Sequence, residues 1–173
     1  PIGLLAMQAA AAYGAGWIFL SGVNAGKLEM ARKFGAQSTI NAADTNVTEY
    51  INDYTGGLGV DYSIEASGQP SAFEDCITAT RQGGTISVVG IYERPIENLD
   101  MGVVVVRDLT ICCSVASPNA FEQTLRLMAT GKLQVAPLVT HVLELAEAEK
   151  AFEIQRSQPD KRIKIHLEPP ALA

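Results

Sequence analysis

Apolar and polar positions along the chain alternate between two periods. Ile2, Leu5, Ala6, Ala9 and Tyr13 share one face at helical spacing, and Gly14 closes that run. Residues 17–20 form a short apolar stretch between glycines and predict a strand. A second helical pattern covers 27–34 and stops at Gly35, and 38–40 predicts a brief strand. Val47, Tyr50, Ile51 and Tyr54 keep helical spacing up to Gly56 and Gly57. The pattern then predicts a strand over 60–65, a helix over 70–81 stopped by Gly83 and Gly84, and a strand over 85–89. Strand and helix in strict alternation mean a parallel sheet covered by helices on both faces. Right-handed crossovers make it a doubly wound α/β sheet.

Past Gly90 the alternation loosens. Residues 91–101 carry Pro95, three acids and an arginine, and read as a surface loop. Four valines at 103–106 fit a strand or a buried helix equally well. A strand follows at 109–114, with Cys112 and Cys113 expected to pack within it. Phe121, Leu125 and Met128 mark a helix that ends near Gly131. Beyond Pro137 come a strand (139–143), a helix (145–155) and a strand (162–167) that do not extend the regular repeat. A composition shift there sets the expected division: a nucleotide-binding domain over 1–136 and a C-terminal segment over 137–173.

The first helix has no strand before it. Pro1 suits a first helical position, because its missing N–H would have no partner there. Gly3 leaves room for a ligand or a strand beside the first turn. Together they read as the second half of a G-x-G-x-x-G loop, whose helix start receives a pyrophosphate. The expectation is a sheet lacking its first strand, in a piece of a larger dinucleotide-binding protein.

Composition narrows the partners. The 173 residues are 47% hydrophobic and 18% charged, as in a globular domain with a sizeable core. The net charge of −6 argues against nucleic acid or an anionic membrane as partner. An anionic cofactor stays compatible, since backbone N–H groups bind phosphate without a basic surface. Three cysteines, two of them adjacent, make no disulfide framework and point to a reducing, cytoplasmic setting. No apolar stretch is long enough to span a bilayer. His141 and His166 have no His, Cys or Asp at ligand spacing, so no metal site is expected in this chain. There is no G-x-S-x-G elbow, and Asp61 and Glu65 flank a strand without forming an acid–base pair. No catalytic residue is assigned; the visible chemistry is binding.

Three further segments bear on that binding. In NAD-binding folds an acid after the second strand accepts from the adenosine ribose. Gly22 stands at that position, which removes charge repulsion against a 2′-phosphate and favours NADP over NAD. Ser21, Asn24 and Lys27 are candidate contacts for such a phosphate, and the nearest arginine in sequence, Arg32, lies a turn further on. Ala66, Ser67 and Gly68 follow one strand end, and Val89, Gly90 and Ile91 follow the next. Ligands bind outside the carboxyl ends of parallel strands, and small residues there let backbone groups face a cofactor.

The order of these pieces resembles the medium-chain dehydrogenase/reductase superfamily, in particular its zinc-type alcohol and polyol dehydrogenases of the sorbitol and threonine dehydrogenase kind. Residues 1–6, 27–36, 57–68 and 83–90 carry the resemblance, with Thr140, His141, Ala148, Phe152 and Lys164 closing it. It covers essentially the whole chain and implies a Rossmann-type domain with a C-terminal tail that returns to a catalytic domain. Gly3 is then the last glycine of the pyrophosphate loop, and Lys27 a lysine near the adenosine ribose. Ala66, Ser67 and Gly68 line the adenine and ribose side, and Val89, Gly90 and Ile91 pass near the nicotinamide. The strand from Leu109 to Ser114 resembles the edge through which members pair into homo-oligomers. The implied activity is hydride transfer between a primary or secondary alcohol, or a polyol, and NAD or NADP, with zinc ligands outside this chain. A zinc-free quinone or enoyl reductase shares the same cofactor domain. A non-catalytic nucleotide-binding or dimerisation module is the reading from a different class. An S-adenosylmethionine methyltransferase wants an acid where Gly22 stands.

Overall fold

The computed structural model describes residues 1–116 and 119–170. The C-terminal segment expected over 137–173 is therefore described to Pro170, and residues 171–173 lie outside the described residues, as do 117 and 118. Seven helices and seven strands alternate in the described chain: α1 (Ile2–Ala12), β1 (Phe19–Gly22), α2 (Ala25–Lys33), β2 (Ser38–Asn41), α3 (Val47–Thr55), β3 (Val60–Glu65), α4 (Pro70–Ala79), β4 (Thr80–Val88), α5 (Met101–Val106), β5 (Thr110–Cys113), α6 (Phe121–Ala129), β6 (Val139–Glu144), α7 (Ala148–Ser157) and β7 (Lys164–Glu168). Every strand pair is parallel.

The ladders are β1–β2, β3–β4–β5 and β6–β7, with no hydrogen-bonded pairing between β1 and β3. A doubly wound sheet has the order 3-2-1-4-5-6. The ladders β1–β2 and β3–β4–β5 each follow the neighbour order expected within such a sheet.

The described residues form two compact units, one of residues 1, 3–41 and 121–170, the other of residues 2, 42–116 and 119–120. In the first, Leu4, Met7, Ala31, Leu138 and Ile163 make one buried cluster. Buried Gln8 joins α1 to the later segment: its amide nitrogen donates to the Gln134 carbonyl (3.2 Å), and its amide oxygen accepts from Gln134 N–H (2.7 Å). In the second unit, Phe73, Ile77, Ile86 and Val104 form the core. Arg107 donates to the Thr78 and Thr80 carbonyls at the end of α4 (2.9 and 2.6 Å), which satisfies acceptors a helix end otherwise leaves open.

Four local expectations change or are decided. The strand expected at 17–20 lies at Phe19–Gly22, where its parallel register with Ser38–Asn41 carries pairing through Gly22. The four valines are helical because Asp100 caps them, its carboxylate accepting from Gly102 N–H (2.8 Å) and Val103 N–H (3.4 Å). Gly83 and Gly84 do not end α4. The helix stops at Ala79, and β4 runs through both glycines, with a register shift against β3 between Val60 and Tyr62. Gly83 has φ +68°, and a Cβ at Gly84 would run into Thr80 Cγ2 and press on the Asp61 and Arg81 carbonyls, as suits a bulge that only glycine fits. Cys112 and Cys113 lie in β5 as expected, but both are exposed rather than packed.

Candidate functional site

The predicted site residues fall into two groups, one in each unit. In the first unit, Gly3 lies in the first turn of α1, Ser21 and Gly22 end β1, and Asn24 and Lys27 begin α2. In the second, Ala66, Ser67 and Gly68 follow β3, and Val89, Gly90 and Ile91 follow β4.

The first group has open valences. No side chain caps α1, and no acid lies in its first turn. The N–H groups of Ile2, Gly3 and Leu4 therefore have no partner within the helix. Leu5 N–H is the first to close, on the Pro1 carbonyl (3.1 Å). A Cβ built at Gly22 meets nothing within 4 Å, so the space an acid would fill is open. Lys27, Arg162 and Lys164 lie close enough to Pro1 for their charges to act at the start of α1. The pKa of Lys27 is lowered, first by burial and then by Arg162, with Asp160 acting in the opposite direction. Positive charge thus collects where α1 and α2 begin. Uncapped donors, unpaired cations and an open strand end fit an anionic nucleotide.

Asn24 is spent on the fold. Its carbonyl oxygen accepts from Lys27 N–H (2.9 Å) and caps α2. Its amide nitrogen donates to the Pro159 carbonyl (2.7 Å) and the Asp160 carboxylate (3.0 Å). It therefore fixes the turn before β7 onto α2, and both ends of its side chain are engaged within the chain.

The second group is closed. Glu65, at the end of β3, is only 2% exposed. Its carboxylate accepts from Ser67 N–H (2.7 Å), Ser67 Oγ (2.6 Å), Gly68 N–H (3.0 Å) and Tyr92 Oη (2.8 Å). Its backbone carbonyl accepts from Val89 N–H (2.8 Å) and Gly90 N–H (3.1 Å). One residue therefore holds both loops. A Cβ at Gly90 would strike Glu65 Oε2 and Gly68 N, and one at Gly68 would strike the Ile91 carbonyl. The glycines here are set by the close approach of the two loops. Burial, then the hydrogen bond to Glu65, raises the Tyr92 pKa, while burial above all pushes the Cys76 thiol up to about 12. Ile91, by contrast, is 80% exposed and available to an apolar ring.

Sequence reasoning missed Glu65 as a clamp, as well as Tyr92 and Arg162. The signal available was a carboxylate two residues before a Ser-Gly pair, within reach of the N–H groups just ahead of it. No local signal marks Tyr92 or Arg162. Among the described residues no three His, Cys, Asp or Glu side chains converge as metal ligands.

A sequence profile of the zinc-binding dehydrogenase family matches residues 1–130. The chain is 34% identical over 159 residues to an L-threonine 3-dehydrogenase of Bacillus velezensis, covering 90% of this chain and 46% of that one. It is 31% identical over 173 residues to an alcohol dehydrogenase of Cupriavidus necator, covering 98% and 47%. A zinc-dependent alcohol dehydrogenase 2 from Streptococcus pneumonia superposes with a TM-score of 0.88 at 31% identity, covering 100% of this chain and 50% of that one. The chain thus spans about half the length of the curated relatives it matches. By its profile match, its parallel ladders and its likeness to these enzymes, this chain belongs to the zinc-binding dehydrogenase family.

Proposed function

We propose that this chain is the dinucleotide-holding part of an oxidoreductase acting on an alcohol or polyol, and that it takes NADP(H) in preference to NAD(H). The dinucleotide supplies the chemistry: C4 of its nicotinamide accepts or donates the hydride. The chain's own residues bind and orient. The N–H groups of Ile2, Gly3 and Leu4 receive the pyrophosphate, with Lys164 as a nearby cation. Ser21, Gly22 and Lys27 face the adenosine ribose, and Asn24 shapes that end from behind. The loops 66–68 and 89–91, joined by Glu65, offer backbone groups and the exposed Ile91 as nucleotide contacts of the second unit. Preference for NADP follows from Gly22, since an acid there would repel a 2′-phosphate.

The observation that carries this reading is the uncapped start of α1, with three cations acting on it. Relatives named as threonine, alcohol and sorbitol dehydrogenases support an alcohol or polyol as substrate. Strand β5 closes one side of its ladder and leaves the other edge without a strand among the described residues, which supports the edge from Leu109 to Ser114 as the surface for a homo-oligomer. No helix among the described residues is long and apolar enough to cross a membrane. Three free thiols favour a reducing cytoplasmic setting.

Titration with NADPH and with NADH, followed by nicotinamide fluorescence and by Trp17 emission, tests the reading. Saturable binding of NADPH, weaker for NADH, is expected. Failure to bind either overturns it.

A further inference from the structure

The open edge of β5 sets how another strand can pair with it. β5 ends the ladder β3–β4–β5, and no strand among the described residues lies on its other side. It pairs with β4 in parallel, Ser87 beside Cys112 and Val88 beside Cys113. Ser114 N–H donates to the Val88 carbonyl (3.0 Å), so the backbone of Ser114 faces β4. Backbone groups of alternate residues point the same way, which turns Thr110 and Cys112 toward β4 as well. The N–H and C=O of Ile111 and Cys113 then point out from the sheet edge, where a further strand would meet them.

A second copy of this chain meets all of these groups within β5 in one register only. An edge that pairs with its own copy does so about a twofold axis, with the two strands antiparallel. With the axis at Cys112, Ile111 stands opposite Cys113 of the second copy, and Cys113 opposite its Ile111. Every outward group of β5 then has a partner in the other β5. An axis at Ile111 or at Cys113 would instead pair one outward residue with Leu109 or Val115, outside the strand. The side chains agree with the first register. Thr110 faces Ser114 of the copy, hydroxyl to hydroxyl, and no charged residue lies between 109 and 116 to meet its like.

That register sets Cys112 opposite its own copy at a non-hydrogen-bonded position, where facing Cα atoms lie about 4.5 Å apart. A disulfide spans Cα separations of roughly 4.4–6.8 Å. Cys113 has no such match: its side chain is on the other face of the sheet, with Ile111, and its own copy lies on the diagonal, roughly 7–8 Å away. The same alternation keeps Cys112 and Cys113 of one chain from facing each other. Both thiols are exposed, and Cys112 Sγ donates to the Ile86 carbonyl across 3.6 Å, a weak bond that it can leave.

We propose that Cys112 forms a disulfide with Cys112 of a second copy and so locks the homo-oligomer at the β5 edge when a low-molecular-weight disulfide such as oxidised glutathione accumulates. The Cys112 thiolate attacks that disulfide, forming a mixed disulfide and releasing one thiol. The Cys112 thiolate of the second copy then attacks the Cys112 sulfur of the mixed disulfide and releases the second thiol. Two protein thiols are oxidised to one disulfide, the small disulfide is reduced to two thiols, and the two protons pass to those thiols. Exposure keeps the bond reducible, as suits a transient, redox-sensing disulfide in a reducing setting. The inference rests on the homo-oligomer reading above.

Oxidation with excess oxidised glutathione, followed by non-reducing gel electrophoresis of the wild type, Cys112→Ser and Cys113→Ser, tests it. The wild type and Cys113→Ser are expected to run at twice the chain mass and to return to single mass with dithiothreitol. Cys112→Ser is expected to give at least tenfold less of the double-mass band. Equal cross-linking in the two variants, or a loss with Cys113→Ser instead, would overturn the proposal, as would glutathione addition without a covalent dimer. Light scattering of the reduced wild type separates this inference from the reading beneath it. If the reduced protein is monomeric, the homo-oligomer reading falls and this inference with it. If it is oligomeric and no cross-link forms through Cys112, only this inference falls.

Discussion

The two polar clusters of this chain differ in how far they satisfy themselves. Around Glu65 every polar group described has a partner inside the fold: a buried carboxylate, two backbone N–H groups, a serine and a tyrosine hydroxyl. At the start of α1 the helix donors lack a side-chain cap, and near it Arg162 and Lys27 repel each other and Arg162 Nε is buried without a partner. A closed network fixes shape, because any change leaves a buried group unpaired. An open one stores binding capacity, because its groups gain partners only from a ligand. Stability and affinity are therefore expected to respond to different residues.

The largest effect on stability belongs to Glu65. Replacing it with Ala leaves Ser67 N–H, Gly68 N–H and the Tyr92 hydroxyl without their acceptor, at a cost of roughly 3 kcal/mol. The midpoint of urea unfolding should fall accordingly. Gly90→Ala comes next, because the new methyl overlaps Glu65 Oε2 and Gly68 N and the two loops must part; about 2 kcal/mol is expected from the same measurement.

The third effect is one of pH. Folding holds the Cys76 thiol protonated up to about 12, whereas an unfolded chain ionises it near the ordinary thiol value. The folded state then binds more protons than the unfolded one, so stability must fall as pH rises from about 9 toward 12. Tyr92, raised in the same sense, adds to that loss. The same contrast appears in reactivity. At pH 8 a disulfide reagent should modify Cys112 and Cys113, which are exposed, and leave Cys76 unmodified until the protein unfolds.

The smallest stability effect belongs to the open cluster. Arg162→Met should move the unfolding free energy by no more than about 0.5 kcal/mol, because it removes no internal hydrogen bond and relieves repulsion with Lys27. A loss as large as that at Glu65 would mean the two clusters are alike, and the contrast would fail.

What the sequence discloses follows the range of the forces involved. Strand β3 at 60–65 and helix α3 from Val47 are legible because alternation, caps and terminal glycines all lie within a few residues. The parallel pairing of successive strands is legible because it is set by element succession. Local chemistry also explains some misses: the Asp100 cap decides the valines, and it was visible in the sequence. Gly83 and Gly84 resemble a helix stop, and only the pairing of β4 with β3 shows a bulge. For the candidate site, Gly22 and the helix start were readable because they are contiguous. Arg162 was not, since it reaches α2 through a turn more than a hundred residues away in sequence, fixed by the Asn24–Asp160 bond. Tyr92 reaches Glu65 from 27 positions further along the chain and is hidden for the same reason.

Amide hydrogen exchange, with and without saturating NADPH, tests the contrast most directly. The account predicts that in the free protein the Ser67 and Gly68 amides exchange slowly, while those of Ile2, Gly3 and Leu4 exchange fast and become slow only when NADPH binds. Fast exchange at Ser67 and Gly68 in the free protein, or no slowing at the start of α1 with cofactor bound, would contradict it.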